Sequence, residues 1–178
     1  VVGIDDEACG QIAAETLLSR GYKRLAFLGG PEPATSTQSR LRGFLAELQR
    51  AGGSAPDITF AEAYSFEAGR AEMQRLLRET TPAEAYFCGD DVLSIGALSA
   101  IRDHGLRVPE DIGLIGVNDM QMSGWQNINL TTIAQPFAEI IQTSIEVIVD
   151  MLQAPKQPAQ ARRLPCRLVE RGTLRALP

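Results

Sequence analysis

The chain holds 178 residues, 44% hydrophobic, 22% charged and 6% aromatic, a balance that excludes intrinsic disorder, collagen and membrane-spanning classes and fits one domain or one lobe of a larger body. Lys and Arg number 17 against 22 Asp and Glu, net −5. That sign repels phosphates, so nucleic acid is a poor partner for this chain by itself.

Val1-Val2-Gly3-Ile4 opens without an initiator Met and reads as the tail of a strand begun elsewhere, as in a fragment of a longer protein. Asp5-Asp6-Glu7 suits a first helical turn better than a cation site, and residues 7–19 place Ala8, Ile12, Ala13 and Leu17 on one helical face before Gly21 stops them. Residues 25–28 are an apolar run ended by Gly29-Gly30-Pro31, the pattern of a strand buried on both faces. Leu41, Phe44, Leu45 and Leu48 fall at i, i+3, i+4 and i+7, an amphipathic helix closed by Gly52-Gly53. The alternation continues with a strand at 58–64, a helix carrying Met73, Leu76 and Leu77, a strand at 85–88, and a helix with Leu93, Ala97, Ala100 and Ile101. A turn at 108–111 precedes a doubly buried strand at 112–117, and a polar stretch at 122–129 leads into 130–135.

Pro136 is tolerated where a last long helix begins. Ile141, Ile145, Ile148 and Leu152 line one face of that helix, but Ile140, Val147 and Met151 line another. Its apolar surface is wider than one core requires and is expected to face a partner or a second lobe. Residues 154–160 read as a Pro/Gln-rich linker and 164–170 as a closing strand, held to an edge by Pro165. Strands alternating with helices imply an α/β fold: a mostly parallel sheet with helices on both faces.

Ligands of open parallel α/β sheets bind beyond the carboxyl ends of the strands. Those positions here are polar almost every time: Thr35 and Ser36 with Arg40 one turn on, then Tyr64, Asp90-Asp91, Asn118-Asp119 and Gln135. Hydroxyl, guanidinium, phenol, carboxylate and amide together suit a polyhydroxylated ligand recognised by paired donors and acceptors. Taken singly, each has a plainer reading. Ser36 suits a loop or cap and Arg40 a solvated helix surface; Tyr64 could simply end a strand, one of Asp90 and Asp91 is an N-cap, and Asn118 and Asp119 favour turns.

Catalytic templates are poorly met. The one histidine, His104, precedes Gly105 at a helix end, where interaction with the helix dipole accounts for it. No G-x-S-x-G, G-x-x-x-x-G-K-[ST] or G-x-G-x-x-G is present, so neither an enzyme nor a cofactor is expected. Cys9, Cys88 and Cys166 are odd in number and widely spaced, with no C-x-x-C pair for zinc or a redox disulfide. They read as small buried residues of a reducing, cytoplasmic compartment, and no apolar run approaches the ~20 residues of a bilayer span. Arg162, Arg163, Arg167, Arg171 and Arg175 read as solvent-facing edge residues.

These pieces resemble the effector-binding core of the LacI/GalR family of bacterial transcription regulators. GLRVPEDIGLIGVND at 105–119 and LTTIAQPF at 130–137 are the most specific; RLAFLGGP, RLRGF, CGDDVLSIGAL and LPCRLVERGT complete the order. The resemblance implies a fold like the periplasmic sugar-binding proteins, two α/β lobes with a small effector between them. It also implies a DNA-binding headpiece, absent from this chain, that binds operator DNA as part of a homodimer. Residues 5–132 with 171–178 would be the C-terminal lobe, and 1–4 with about 133–170 segments of the N-terminal lobe. Carried over, the effector contacts are Ser36, Arg40, Tyr64, Asp90, Asn118, Gln135 and Phe137. Asn118 stands where many members carry Asp, and Asp90 where Asn is frequent. An amide beside Arg40 tolerates an anion better than a carboxylate does, so a sugar acid is expected alongside a neutral sugar as effector. Trp125 is expected either to anchor the dimer interface or to sit in a local core under its loop. A sugar-binding protein of a transport system is the alternative function.

Overall fold

Strand and helix alternate as the apolar spacing requires, and three helices start where a short polar side chain accepts an otherwise orphan amide. The computed structural model describes residues 1–153 and 161–178; the linker read at 154–160 lies outside them. Asp5, Ser65 and Asp90 cap α1 (Asp6–Ser19), α3 (Phe66–Glu79) and α4 (Asp91–Asp103). The clearest helix in the sequence, α2 (Thr35–Arg50), begins after Ala34 with no side-chain cap. The strands are β1 (Val2–Ile4), β2 (Leu25–Gly29), β3 (Asp57–Phe60), β4 (Ala85–Cys88), β5 (Gly113–Asn118), β6 (Thr132–Ala134), β7 (Arg162–Leu164) and β8 (Arg167–Val169). A 3-10 turn, Gln121–Gly124, lies within the polar stretch, and α5 (Phe137–Gln153) follows Pro136.

Six strands form one sheet in the order β3-β2-β4-β5-β6-β8, parallel throughout except for β8, which runs antiparallel to β6. Because side chains alternate across a strand, the central strands bury both faces. Phe27, Phe87, Ile115 and Val117 pack under α1 and α2, with the Phe44 ring 5.3 Å from that of Phe87. Leu28, Cys88 and Leu114 pack under α3 and α4. α1 and α2 touch backbone to backbone: a Cβ on Gly10 would lie 2.1 Å from the Arg40 carbonyl oxygen, and one on Gly43 1.9 Å from that of Glu7. This approach brings the Arg40 side chain to the start of α1.

A two-stranded parallel sheet of β1 and β7 stands apart from the six. The structure corrects the single closing strand read at 164–170. Pro165 has no N–H to give a ladder, and at Pro165-Cys166 the chain passes from β7 in the small sheet to β8 in the large one. Residues 133–170 therefore do not stay together: β6 and β8 belong to the large sheet, while α5 and β7 lie beside β1. β3 also stops at Phe60, short of the expected 64, which leaves Tyr64 in a loop.

None of the residues of α5 is buried, and Ile141, Ile145, Ile148, Met151 and Leu152 are exposed, as its double apolar face implied. Among the described residues no helix is long and apolar enough to cross a membrane. Arg163 and Arg167 are exposed on β7 and β8 as expected, but Arg171 and Arg175 are not mere edge residues. Arg171 pairs with Asp119 at 2.6 Å and donates to the Leu130 carbonyl, and the Arg175 guanidinium lies 4.4 Å from the centre of the Tyr22 ring.

Candidate functional site

The carboxyl ends of β2, β4, β5 and β6 lie side by side, and the predicted residues gather along that edge. Arg40 reaches them from α2. It is not the solvated helix residue that its position alone allows: it is 6% exposed, with Nε donating to Asp6 Oδ1 at 2.8 Å and Nη1 donating to the Gly89 carbonyl just past β4. Among the described residues Nη2 has no hydrogen-bond partner and is not a buried orphan, so it is open to a ligand.

Tyr64 comes to the same edge from its loop. Its phenol shares hydrogen bonds with Thr37 Oγ1 at 2.6 Å and Ser36 Oγ at 3.4 Å. Its ring rests on Gly30, where a Cβ would lie 2.3 Å from Tyr64 Cζ. Gly30, the residue after β2, thus makes room for an aromatic platform.

Asp90 and Asp91 divide their work. Asp90, 8% exposed, accepts from the Leu93 N–H at 2.8 Å as the N-cap of α4. Burial pushes its carboxyl upward, while that amide and the Arg40 charge pull it back. Asp91, fully buried, accepts from Met120 N at 2.8 Å, Ser123 Oγ at 2.7 Å and Thr132 Oγ1. Burial raises this carboxyl too, and these donors oppose the rise. Asp91 ties the loop after β5 to α4, which fixes where Asn118 sits.

Asn118, at a φ of 116°, and Asp119, at 55°, turn the chain sharply at the end of β5, in the left-handed region that Asn and Asp tolerate best. Gln135 Nε2 donates to Asn118 Oδ1, joining two predicted residues across neighbouring strands. Asp119 is instead committed to Arg171. Phe137 is 55% exposed, and with Gln135 it lines a cavity of about 590 Å³ whose other wall includes Leu164 and Cys166. Arg40, Asp90 and Asn118 do not line that cavity; they stand on the open ledge of strand ends.

Sequence reasoning missed Asp6 as a partner of Arg40 and Thr37 as a partner of Tyr64. The first pairing spans 34 positions, and its only trace in the sequence is the pair of glycines through which α1 and α2 meet. Trp125 is 50% exposed, which removes the local-core reading. His104 caps the C-terminus of α4 with Nδ1 3.0 Å from the Ala100 carbonyl oxygen, away from the strand ends. No group of three or more His, Cys, Asp or Glu among the described residues could hold a metal ion.

The family pattern of the periplasmic binding protein-like domain matches residues 14–174. The chain is 36% identical to the HTH-type transcriptional repressor CytR of Escherichia coli (strain K12) over 178 residues, 99% of this chain and 52% of that protein. It is 32% identical to the ribose operon repressor of the same organism over 165 residues, 92% of this chain and 50% of that one. It thus spans about half the length of these curated relatives. Among solved structures, a LacI family transcriptional regulator from Enterococcus faecium with bound ribose superposes with a TM-score of 0.88 at 28% identity, covering 98% of this chain and 65% of that one. The lac repressor dimer bound to operator and the anti-inducer ONPF gives 0.90 at 30% identity, with 98% and 60% covered.

Proposed function

The chain belongs to the periplasmic binding protein-like domain family, and on that premise we propose that it is the larger part of the effector-sensing domain of a LacI-type transcription regulator. A small polyhydroxylated effector binds across the strand ends and favours one arrangement of the full protein. Operator affinity changes because the effector has different affinity for the two arrangements. The observation that carries this reading is the convergence of Ser36, Arg40, Tyr64, Asp90, Asn118 and Gln135 on one edge of a parallel sheet. The six-stranded sheet, with Gln135 just past β6, supplies that edge as the C-terminal lobe, and β1, α5 and β7 supply parts of a second lobe. Operator DNA, a second copy of the protein and a cytoplasmic location follow from the same reading. The relatives named as repressors favour regulation over transport. The domain is proposed as a sensor without catalysis: its one histidine is a helix cap, and Asp90 and Asp91 are engaged by backbone and hydroxyl donors.

The Asp6 contact bears on the effector's charge. The guanidinium is paired with Asp6 and its charge also acts on the Asp90 carboxyl, so Arg40 has little positive field to spare for an anion, and a neutral sugar or nucleoside fits better than a sugar acid. Tyr64 offers a ring face, Asn118 and Gln135 amide donors and acceptors, and Arg40 Nη2 one further donor. The test is calorimetric titration of the full-length protein with neutral sugars, nucleosides and sugar acids, repeated on Asn118→Ala. Saturable binding of a neutral member, weakened in the variant, is expected. Preference for an acid refutes the charge assignment, and binding unaffected by Asn118→Ala refutes the site.

A further inference from the structure

The start of α1 carries three carboxylates, and each is spent differently. Asp5 caps the helix, accepting from the Ala8 N–H at 3.1 Å. Glu7 meets Arg42 at 3.0 Å on the surface, with both side chains about half exposed. Asp6 has neither role. Among the described residues its carboxylate makes one hydrogen bond, the 2.8 Å contact with Arg40 Nε, and the pair is sheltered, with side chains 7% exposed for Arg40 and 26% for Asp6. We propose that Asp6 is the residue that sets the charge class of the effector, acting through Arg40 as a positioning residue and not through the ligand itself. The inference rests on the strand-end site proposed above and goes beyond it by assigning the refusal of anions to one replaceable side chain.

An arginine reads a carboxylate or a phosphate with two parallel N–H donors on one edge of its fork. Nε and Nη2 form one such edge. Asp6 occupies Nε, so an anion arriving at Nη2 finds half of that edge taken and a like charge beside it. Nη1 is drawn off to the Gly89 carbonyl. What remains, Nη2, suits a hydroxyl or carbonyl oxygen, which accepts a single N–H and carries no charge. The close approach of α1 and α2 at Gly10 and Gly43 brings the two charges together across 34 positions of sequence. Asp90 also feels the Arg40 charge, but it accepts from the Leu93 N–H as the cap of α4. Asp6 is therefore the carboxylate that can change without a helix losing its cap.

The experiment is calorimetric titration of the full-length protein with neutral and anionic ligands that share a ring: ribose and ribose 5-phosphate, glucose and glucuronate, uridine and uridine 5′-monophosphate. The unmutated protein should favour the neutral member of the pair that it binds. Asp6→Asn, which keeps an acceptor for Nε and loses the charge, should move the ratio of the two dissociation constants toward the anion by roughly 10-fold or more, the scale of one partly buried like charge. Asp6→Ala, which also frees Nε, should move it at least as far, and it serves if the amide variant does not fold. Glu7→Gln removes the same charge from the same helix start, but from an exposed pair, and should leave the ratio within about 2-fold of the parent. A parent that prefers the anion, both ligands weakening together in the Asp6 variants with their ratio unchanged, or an equal shift in Glu7→Gln overturns the inference and leaves the strand-end site standing. A parent that binds no pair, or binds one with no loss in Asn118→Ala, fails the site itself and the inference with it.

Discussion

Replacing Asp91 by alanine removes one buried carboxylate and strands three donors at once: the Met120 amide and the hydroxyls of Ser123 and Thr132. A hydrogen bond to a charged group contributes roughly 1.5–3 kcal/mol net. Three of them exceed the whole expected loss, because the variant also escapes the cost of burying the carboxylate and the two hydroxyls can rotate to other acceptors. The Met120 amide cannot rotate away. A net loss of about 3 kcal/mol follows, or a fall in Tm of roughly 6–12 °C for a chain of this size. Urea unfolding and calorimetry of the purified protein measure it, and a cycle with Ser123→Ala should give a coupling of about 1 kcal/mol between the two positions. A loss within about 0.5 kcal/mol of the parent, or strict additivity in the cycle, would refute the assignment of Asp91 as the tether of the loop that carries Asn118.

Gly30→Ala should destabilise by about 1–3 kcal/mol in urea, because the new methyl meets the Tyr64 ring and the ring must give up its hydrogen bond to Thr37 to clear it. Gln135→Ala should weaken effector binding roughly 5- to 150-fold by calorimetry, the equivalent of about 1–3 kcal/mol for an Asn118 oxygen left without its donor, with Tm little changed. Arg107 holds the Asp111 carboxyl at about 2, first through its guanidinium and then through its backbone N–H, against an ordinary 3.8. A lowered folded value means stability present above 3.8 and lost as pH falls toward 2, so Asp111→Asn should flatten the acid limb of a Tm-against-pH curve over that interval. Asp90 and Asp91, both raised, act in the opposite sense and lower stability as pH rises above 3.8.

The alternation of strand and helix was legible because buried parallel strands are short apolar runs and their covering helices are amphipathic, as residues 25–28 and the Leu41-to-Leu48 face show. The strand-end rule then delivered most of the candidate site before any resemblance was needed. What stayed hidden was set by contacts distant in sequence. Nothing local to Arg40 indicates that Asp6 occupies part of its guanidinium. The closing segment misled for a related reason: an apolar–polar alternation specifies a strand but not its partner, so a strand that changes sheets at Pro165 reads like one that does not. Arg171 looked like an edge residue because its periodicity matched one, although its charge is spent on Asp119.

Trp125 is the single tryptophan of this chain, half exposed just past the 3-10 turn, in the loop that the Asp91 carboxylate anchors. Indole emission from these residues therefore has one origin, a few positions from Asn118. Its wavelength and its quenching by small solutes report the surroundings of that loop alone, without a dye. Contact of another protein surface with the loop would register as a spectral shift, and a ligand that left the loop undisturbed would not.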